Sequence, residues 1–189
     1  MEKKFEVKEP VNPVWEFLSD PRKVAACVPG AEISEALDDR RYIGTMKVKV
    51  GPVVSSLKGE LIIERLDSQN FVIELVGKGQ DIKGKGIATM KMVGKLRALP
   101  QGGTEVTGSS ELSITGLMAQ FGSRVIEEIS NQMFGQFILN LQKNLEGLEG
   151  SGIEEKPLQP LKAVPLLVAA IKSAILRFFR RITGRSSET

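Results

Sequence analysis

The sequence predicts an α+β chain: an antiparallel sheet of about seven strands, one long helix after it, and an amphipathic tail. Three patterns carry this. Between residues 41 and 114, apolar and small residues alternate with charged ones at a period of two, as in strands with one dry and one wet face. From Leu117 to Leu145 apolar residues recur every four positions, as on a helix. From Leu161 to Arg185, large apolar residues are threaded by cations with no acid among them.

The first strand is read from KKFEVKE, where Phe5 and Val7 alternate with charged neighbours. Two short helices follow. Asn12 is placed to cap one ahead of Pro13, and Asp20 to cap the next ahead of Pro21. Residues near Ile33 begin the sheet. Tyr42, Gly44, Met46, Val48 and Val50 then share one face opposite Lys47 and Lys49. SLKGELIIERL adds a strand, and Phe71, Ile73 and Leu75 stand opposite Glu74 and Lys78. Ala88, Met90, Met92, Gly94 and Leu96 oppose Lys91, Lys95 and Arg97, while Val106, Gly108, Ser110, Leu112 and Ile114 oppose Glu105, Thr107 and Glu111. The turns fall at LDDR, DSQN and PQGG. The helix carries Leu117, Phe121, Val125, Ile129, Met133, Phe137, Leu141 and Leu145 as one stripe.

Charge divides the chain in the same way. Residues 1–150 hold 19 basic and 20 acidic residues, whereas 151–189 hold 7 basic and 3 acidic. The body is neutral, which argues against a nucleic-acid partner. The single cysteine, Cys27, excludes an intramolecular disulfide and suits a reducing compartment, and MEKKFEVKEPVNP lacks the apolar run of a signal peptide, so a cytoplasmic protein is expected. The 189 residues contain no histidine. That removes Ser-His-Asp and Cys-His catalysis and histidine metal sites, leaving only carboxylate or lysine chemistry. Glu127 and Glu128 are adjacent and diverge on a helix, so they make no acid/base pair. No catalytic residue and no metal site are expected.

Strand, two short helices, meander and long C-terminal helix, in that order, resemble the helix-grip fold of the START-like (SRPBCC) superfamily. In that fold a curved antiparallel sheet wraps on the helix. PVNPVWEFLSDPRKVAACVPGAE, GTMKVKVGP, KGE, GKG and ITGLMAQFGSRVIEEISNQMFGQF are similar to the carbon monoxide dehydrogenase G-subunit family, over roughly Met1 to Glu146. The resemblance implies a hydrophobic cavity between sheet and helix. It also implies a non-catalytic role beside a molybdenum hydroxylase, linking that enzyme to the membrane and its quinone pool.

The cavity expected from this combines Tyr42, Met46, Leu75, Met90 and Met92 of the sheet with Phe121, Val125, Ile129, Met133 and Phe137 of the helix. Its ligand would be a lipophile such as menaquinone or ubiquinone, with no covalent cofactor. The residues themselves leave two readings. Small inward residues beside methionines leave and line space. Strand glycines also mark bends, and methionines also fill cores. Cys27 reads as a small packed residue, Trp15 and Phe17 as core, and Tyr42 as a ring whose hydroxyl meets a backbone partner or a quinone carbonyl.

The chain therefore divides into a body at 1–146, a flexible linker at 147–160 and an amphipathic basic helix at 161–185. The 14-residue linker spans about 45 Å when extended. In the tail, Leu167, Ile171, Ile175, Phe178 and Phe179 supply apolar surface and Lys172, Arg177, Arg180 and Arg181 supply charge. The uncharged run Ala163–Ile171 is nine residues, against the roughly 20 that span a bilayer. A helix lying in the interface on the inner face of the cell membrane is the expectation. A helix docked on a partner protein would use the same stripe, which keeps a pure recruitment or assembly factor that carries no ligand as an alternative, beside a general START-like lipid-binding protein.

Overall fold

The computed structural model describes residues 1–50 and 53–149. Strand β1 (Glu2–Val7) leads through two helices, α1 (Val11–Leu18) and α2 (Pro21–Cys27), into a meander. The meander comprises β2 (Ala31–Ala36), β3 (Arg41–Val50), β4 (Val53–Asp67), β5 (Val72–Asp81), β6 (Ile87–Ala98) and β7 (Thr104–Ile114). A 3-10 turn (Gly116–Phe121) and helix α3 (Gly122–Glu149) close it. All pairings are antiparallel, in the order β1-β7-β6-β5-β4-β3-β2. This is the expected α+β helix-grip architecture.

Local chemistry explains most boundaries. Asp20 caps α2 as expected, accepting from the Arg22 and Lys23 N–H groups. Asn12 does not cap α1; the helix begins two residues earlier than expected, at Val11 after Pro10, whose carbonyl accepts from the Val14 N–H. Pro13 falls in the first turn, where a missing N–H costs nothing. Asp38 holds the β2–β3 turn by accepting from the Arg40 and Arg41 N–H groups. Asp67 does the same for Gln69 and Asn70 at the β4–β5 turn.

The long helix is shorter at its start than its apolar stripe suggested. Gly122 has φ of 77°, a left-handed conformation that ends the 3-10 turn and sets α3 off in a new direction. Leu117 and Phe121 therefore stand outside α3. At its other end α3 continues to Glu149, past the expected boundary at Glu146. The remainder of the expected linker and the tail helix at 161–185 lie outside the described residues.

Register defines the inner face of the sheet. Ser110, Met92, Leu75 and Ile63 form one cross-strand row. The next contains Leu112, Met90, Gly77, Leu61 and Tyr42, and the one after it Ile114, Ala88, Gly79, Gly59, Gly44 and Ile33. Three glycines are thus consecutive across β3, β4 and β5. Extra residues at Ser34 and Glu64 add bulges that bend β2 and β4 further.

The core fills one end of this concave face. Val14, Cys27 and Leu141 are fully buried, and Leu145 is nearly so. Phe5 meets Phe134 and Phe137 edge-on at centroid distances of 5.7 and 6.2 Å, and Trp15 meets Phe71 at 5.6 Å. Asn140 donates to the Cys27 carbonyl at 3.0 Å, tying α3 to α2. Lys3 reaches from β1 to the Asn131 side-chain oxygen at 2.5 Å.

Leu141→Ala is expected to destabilise the fold by about 2–5 kcal/mol in a denaturant titration, because its site is enclosed on all sides. The same experiment on Leu139→Ala, whose side chain is 51% exposed, should give a change of about 0.5 kcal/mol or less.

Candidate ligand site

Asn131 and Phe134 of α3 meet Lys3 and Phe5, which pair with Gly108 and Val106, so the turns of α3 before Asn131 run toward the Ser109–Ile114 end of β7. That half of the inner face is not filled. Met90 and Ile114 are only half-buried, and Leu112 is 40% exposed although it points to the concave side. In contrast, Ile63, Ile73, Leu75, Leu96 and Val106 are all buried at the other end.

The inward glycines serve different purposes. At Gly59 a Cβ would overlap the Lys78 carbonyl oxygen and press on the Gly79 backbone, and at Gly44 it would lie 2.6 Å from the Glu32 oxygen. These two exist for close backbone approach. At Gly94 a Cβ would stand 2.9 Å from an Ile73 methyl, so a side chain already occupies that space. Gly77 has only a Leu61 methyl at 3.8 Å, and around Gly108 there is nothing within 4 Å. Space is therefore left beneath the first half of α3.

The expected cavity residues distribute as follows. Tyr42, Met46, Leu75, Met90 and Met92 share the inner face by register. Leu75 is in the core, with Tyr42, Met90, Met92 and Phe137 packed against it. Met46, Phe121, Ile129 and Met133 are half-buried, and Val125 is 36% exposed. Four-residue steps explain Val125: each advances about 400° around a helix, so five steps back from Leu145 accumulate about 200° of drift. The sequence pattern overlooked Phe134 and Asn131, which follow the true 3.6-residue period onto the Phe5 and Lys3 side chains. Leu61 and Gly77 emerge only from the register, and Leu112, read from its strand pattern as inward-facing, joins them in one row. The tail residues Leu167 to Arg181 lie outside the described residues.

Electrostatically the unfilled half is bland. The three rows named above carry no carboxylate and no cation. The next row, Met46 and Leu57, ends at Asp81, whose carboxylate is engaged by Ser55 and backbone N–H groups, and the Lys3 ammonium at the side is engaged by Asn131. The Tyr42 ring packs on the core while its hydroxyl donates to the Asp39 carbonyl at 3.1 Å. That hydroxyl faces a separate surface depression of about 500 Å³ between Ser19–Arg22 and the β2–β3 turn. Among the described residues no group of His, Cys, Asp or Glu is arranged to hold a metal. Such a surface can take up an apolar molecule.

Two buried groups lie outside this half. Burial pushes the Cys27 thiol up, partly opposed by the Asn144 amide 3.6 Å away. Asp81, at the end of β5, is held below the ordinary carboxylate range first by the Ser55 hydroxyl at 2.5 Å, then by backbone N–H groups of Lys83, Lys85 and Ser56. A depressed carboxyl stabilises the fold above its unfolded pKa of about 3.9, and the contribution disappears as pH falls through the folded value. NMR titration of the Lys83 and Lys85 amides should therefore show a midpoint below that of free aspartate. Thiol reagents should modify native Cys27 slowly and unfolded protein at once.

Comparison with known proteins agrees with this architecture. No curated protein matches the sequence. A conserved protein from Geobacillus kaustophilus superposes with a TM-score of 0.70 at 19% identity, covering 77% of this chain and 94% of its own. The Zhui aromatase/cyclase from Streptomyces sp. R1128 gives 0.57 at 15%, covering 81% and 98%. A START superfamily protein from Mycobacterium smegmatis gives 0.55 at 10%, covering 78% and 97%. At these identities the likeness is one of fold. The sequence profile of the carbon monoxide dehydrogenase G subunit (CoxG) matches residues 4–146, nearly the whole described body, and the chain belongs to that family.

Proposed function

We propose that this protein is a non-catalytic carrier that holds a lipophile, a quinone of the menaquinone or ubiquinone type, on the unfilled half of its sheet. The observation that carries the reading is the open space at Gly77 and Gly108 beside the half-buried Met90 and the exposed Leu112. Filling it with hydrocarbon removes apolar surface from water at about 25 cal/mol per Å². Methionines adapt to an isoprenoid chain without a fixed shape. The absence of ionisable groups on these rows supports transport over chemistry.

The basic tail attaches the carrier to the cytoplasmic face of the membrane. Its six cations between Leu161 and Arg185 contribute at most about 1 kcal/mol each near an anionic leaflet, so attachment is reversible. Among the described residues no helix is long and apolar enough to cross a membrane. Family membership supports a partner of the carbon monoxide dehydrogenase type, a molybdenum hydroxylase whose electrons would reach the quinone pool through this carrier.

Full-length protein extracted with organic solvent should release a stoichiometric lipophile detectable by mass spectrometry. Gly108→Leu, which projects a side chain into the open space, should lower that yield about tenfold or more while leaving stability unchanged. Retention of full ligand occupancy by Gly108→Leu would reject this location. In parallel, reversing Arg177, Arg180 and Arg181 to Glu should weaken binding to anionic vesicles roughly a hundredfold at low salt.

A further inference from the structure

The most exposed large hydrophobic side chain of the described body is Ile82, at 64%, on the tip that joins β5 to β6. It is not alone. Ile87, at the start of β6, is 38% exposed, and Leu117, in the 3-10 turn, is 40% exposed. These segments are joined: the Leu117 N–H donates to the Lys85 carbonyl at 2.7 Å, and the Thr115 N–H to the Ile87 carbonyl at 2.9 Å. Gly86 and Gly116 face each other so closely that a Cβ on either would overlap the other segment's backbone.

The tip is also rigid. Asp81 clamps it by accepting from the Lys83 and Lys85 N–H groups at 2.9 and 3.3 Å, while its other oxygen accepts from Ser55. The Ile82 N–H donates to the Ser56 carbonyl at 2.9 Å. With its backbone fixed, Ile82 is held outward by construction. Lys83 and Lys85 flank it, the first exposed and the second half-buried, and neither has a carboxylate in ion-pair range among the described residues. Residues 82–90 and 112–126 contain no acid at all.

We propose that this tip and the adjoining 3-10 turn form a lip by which the body itself touches an anionic lipid bilayer, with Ile82 and Leu117 entering the interface and Lys83 and Lys85 on the headgroups. A protruding apolar tip ringed by cations matches a charged, deformable surface. The lip lies at the end of the sheet where Leu112 is uncovered, so contact brings the unfilled half of the inner face to the bilayer. The proposal rests on the carrier reading for its purpose, but places a membrane contact on the body in addition to the tail.

The test uses the full chain carrying Ile82→Cys labelled with an environment-sensitive fluorophore; buried Cys27, its thiol pushed up, reacts slowly and leaves the label selective. A second protein carries the label at Gln101→Cys, in the β6–β7 turn at the other end of the sheet. With vesicles of equimolar phosphatidylcholine and phosphatidylglycerol, the probe at 82 should shift to the blue and the probe at 101 should not. Adding Lys83→Glu and Lys85→Glu should weaken the titration about tenfold. Co-sedimentation with no shift at 82 would overturn the lip and leave the tail's attachment standing. No co-sedimentation and no shift would overturn both. A shift at 82 that grows with protein concentration in the absence of vesicles would assign the lip to a second copy of the chain and overturn the proposal.

Discussion

Where β4 passes β5 at Gly59, the two backbones approach so closely that no side chain could stand between them. Much else depends on that contact. With Gly44 and Gly79 beside it in one cross-strand row, the sheet bends sharply there, and the bulges at Ser34 and Glu64 extend the curvature. A bent sheet has a concave face wider than one helix covers. Helix α3 seals one end of it through Leu141 and Leu145 against α1, α2 and the buried rows. The other end keeps apolar side chains without a protein partner to bury them.

Packing and charge act together in this arrangement. The buried end gathers the aromatic contacts of Phe5, Phe134, Phe137, Trp15 and Phe71, which fix the helix in place. On the convex face Glu105 bridges Lys4 and Arg97, and Arg65 bridges Asp67 and Glu74. Asp67 illustrates how turn chemistry supports this frame: hydrogen bonds from the Asn70 side chain and backbone, then from Arg65, bring its pKa down to about 2. Such exposed pairs add little stability singly, but they fix the turns that set strand register.

Much of this was legible in the sequence. Period-two alternation placed Met90, Met92 and Leu112 on one face, and Asp20 before Pro21 announced a helix start that is found there. The glycines could not be sorted in the same way. Gly59 and Gly108 sit at equivalent inward positions of their strands, yet one marks backbone contact and the other open space, a difference that arises only when strands meet. A repeat of four also cannot reveal its own drift, so Phe134 and Asn131 were hidden behind a stripe running to Val125. The tip at Ile82 showed no pattern of its own, because a single exposed residue acquires meaning from neighbours 35 positions away, such as Leu117.

The carrier reading turns on whether the space beneath the first half of α3 is a binding site. The six methionines, Met1, Met46, Met90, Met92, Met118 and Met133, offer methyl probes that include two beside that space. NMR of methyl-labelled full-length protein titrated with a short-chain naphthoquinone reads them individually. Saturable shifts of the Met90 and Met92 methyls, with Met1 unchanged, are the predicted result. No saturable shift at Met90 or Met92, with all six methyls unmoved or only Met1 responding, would contradict it.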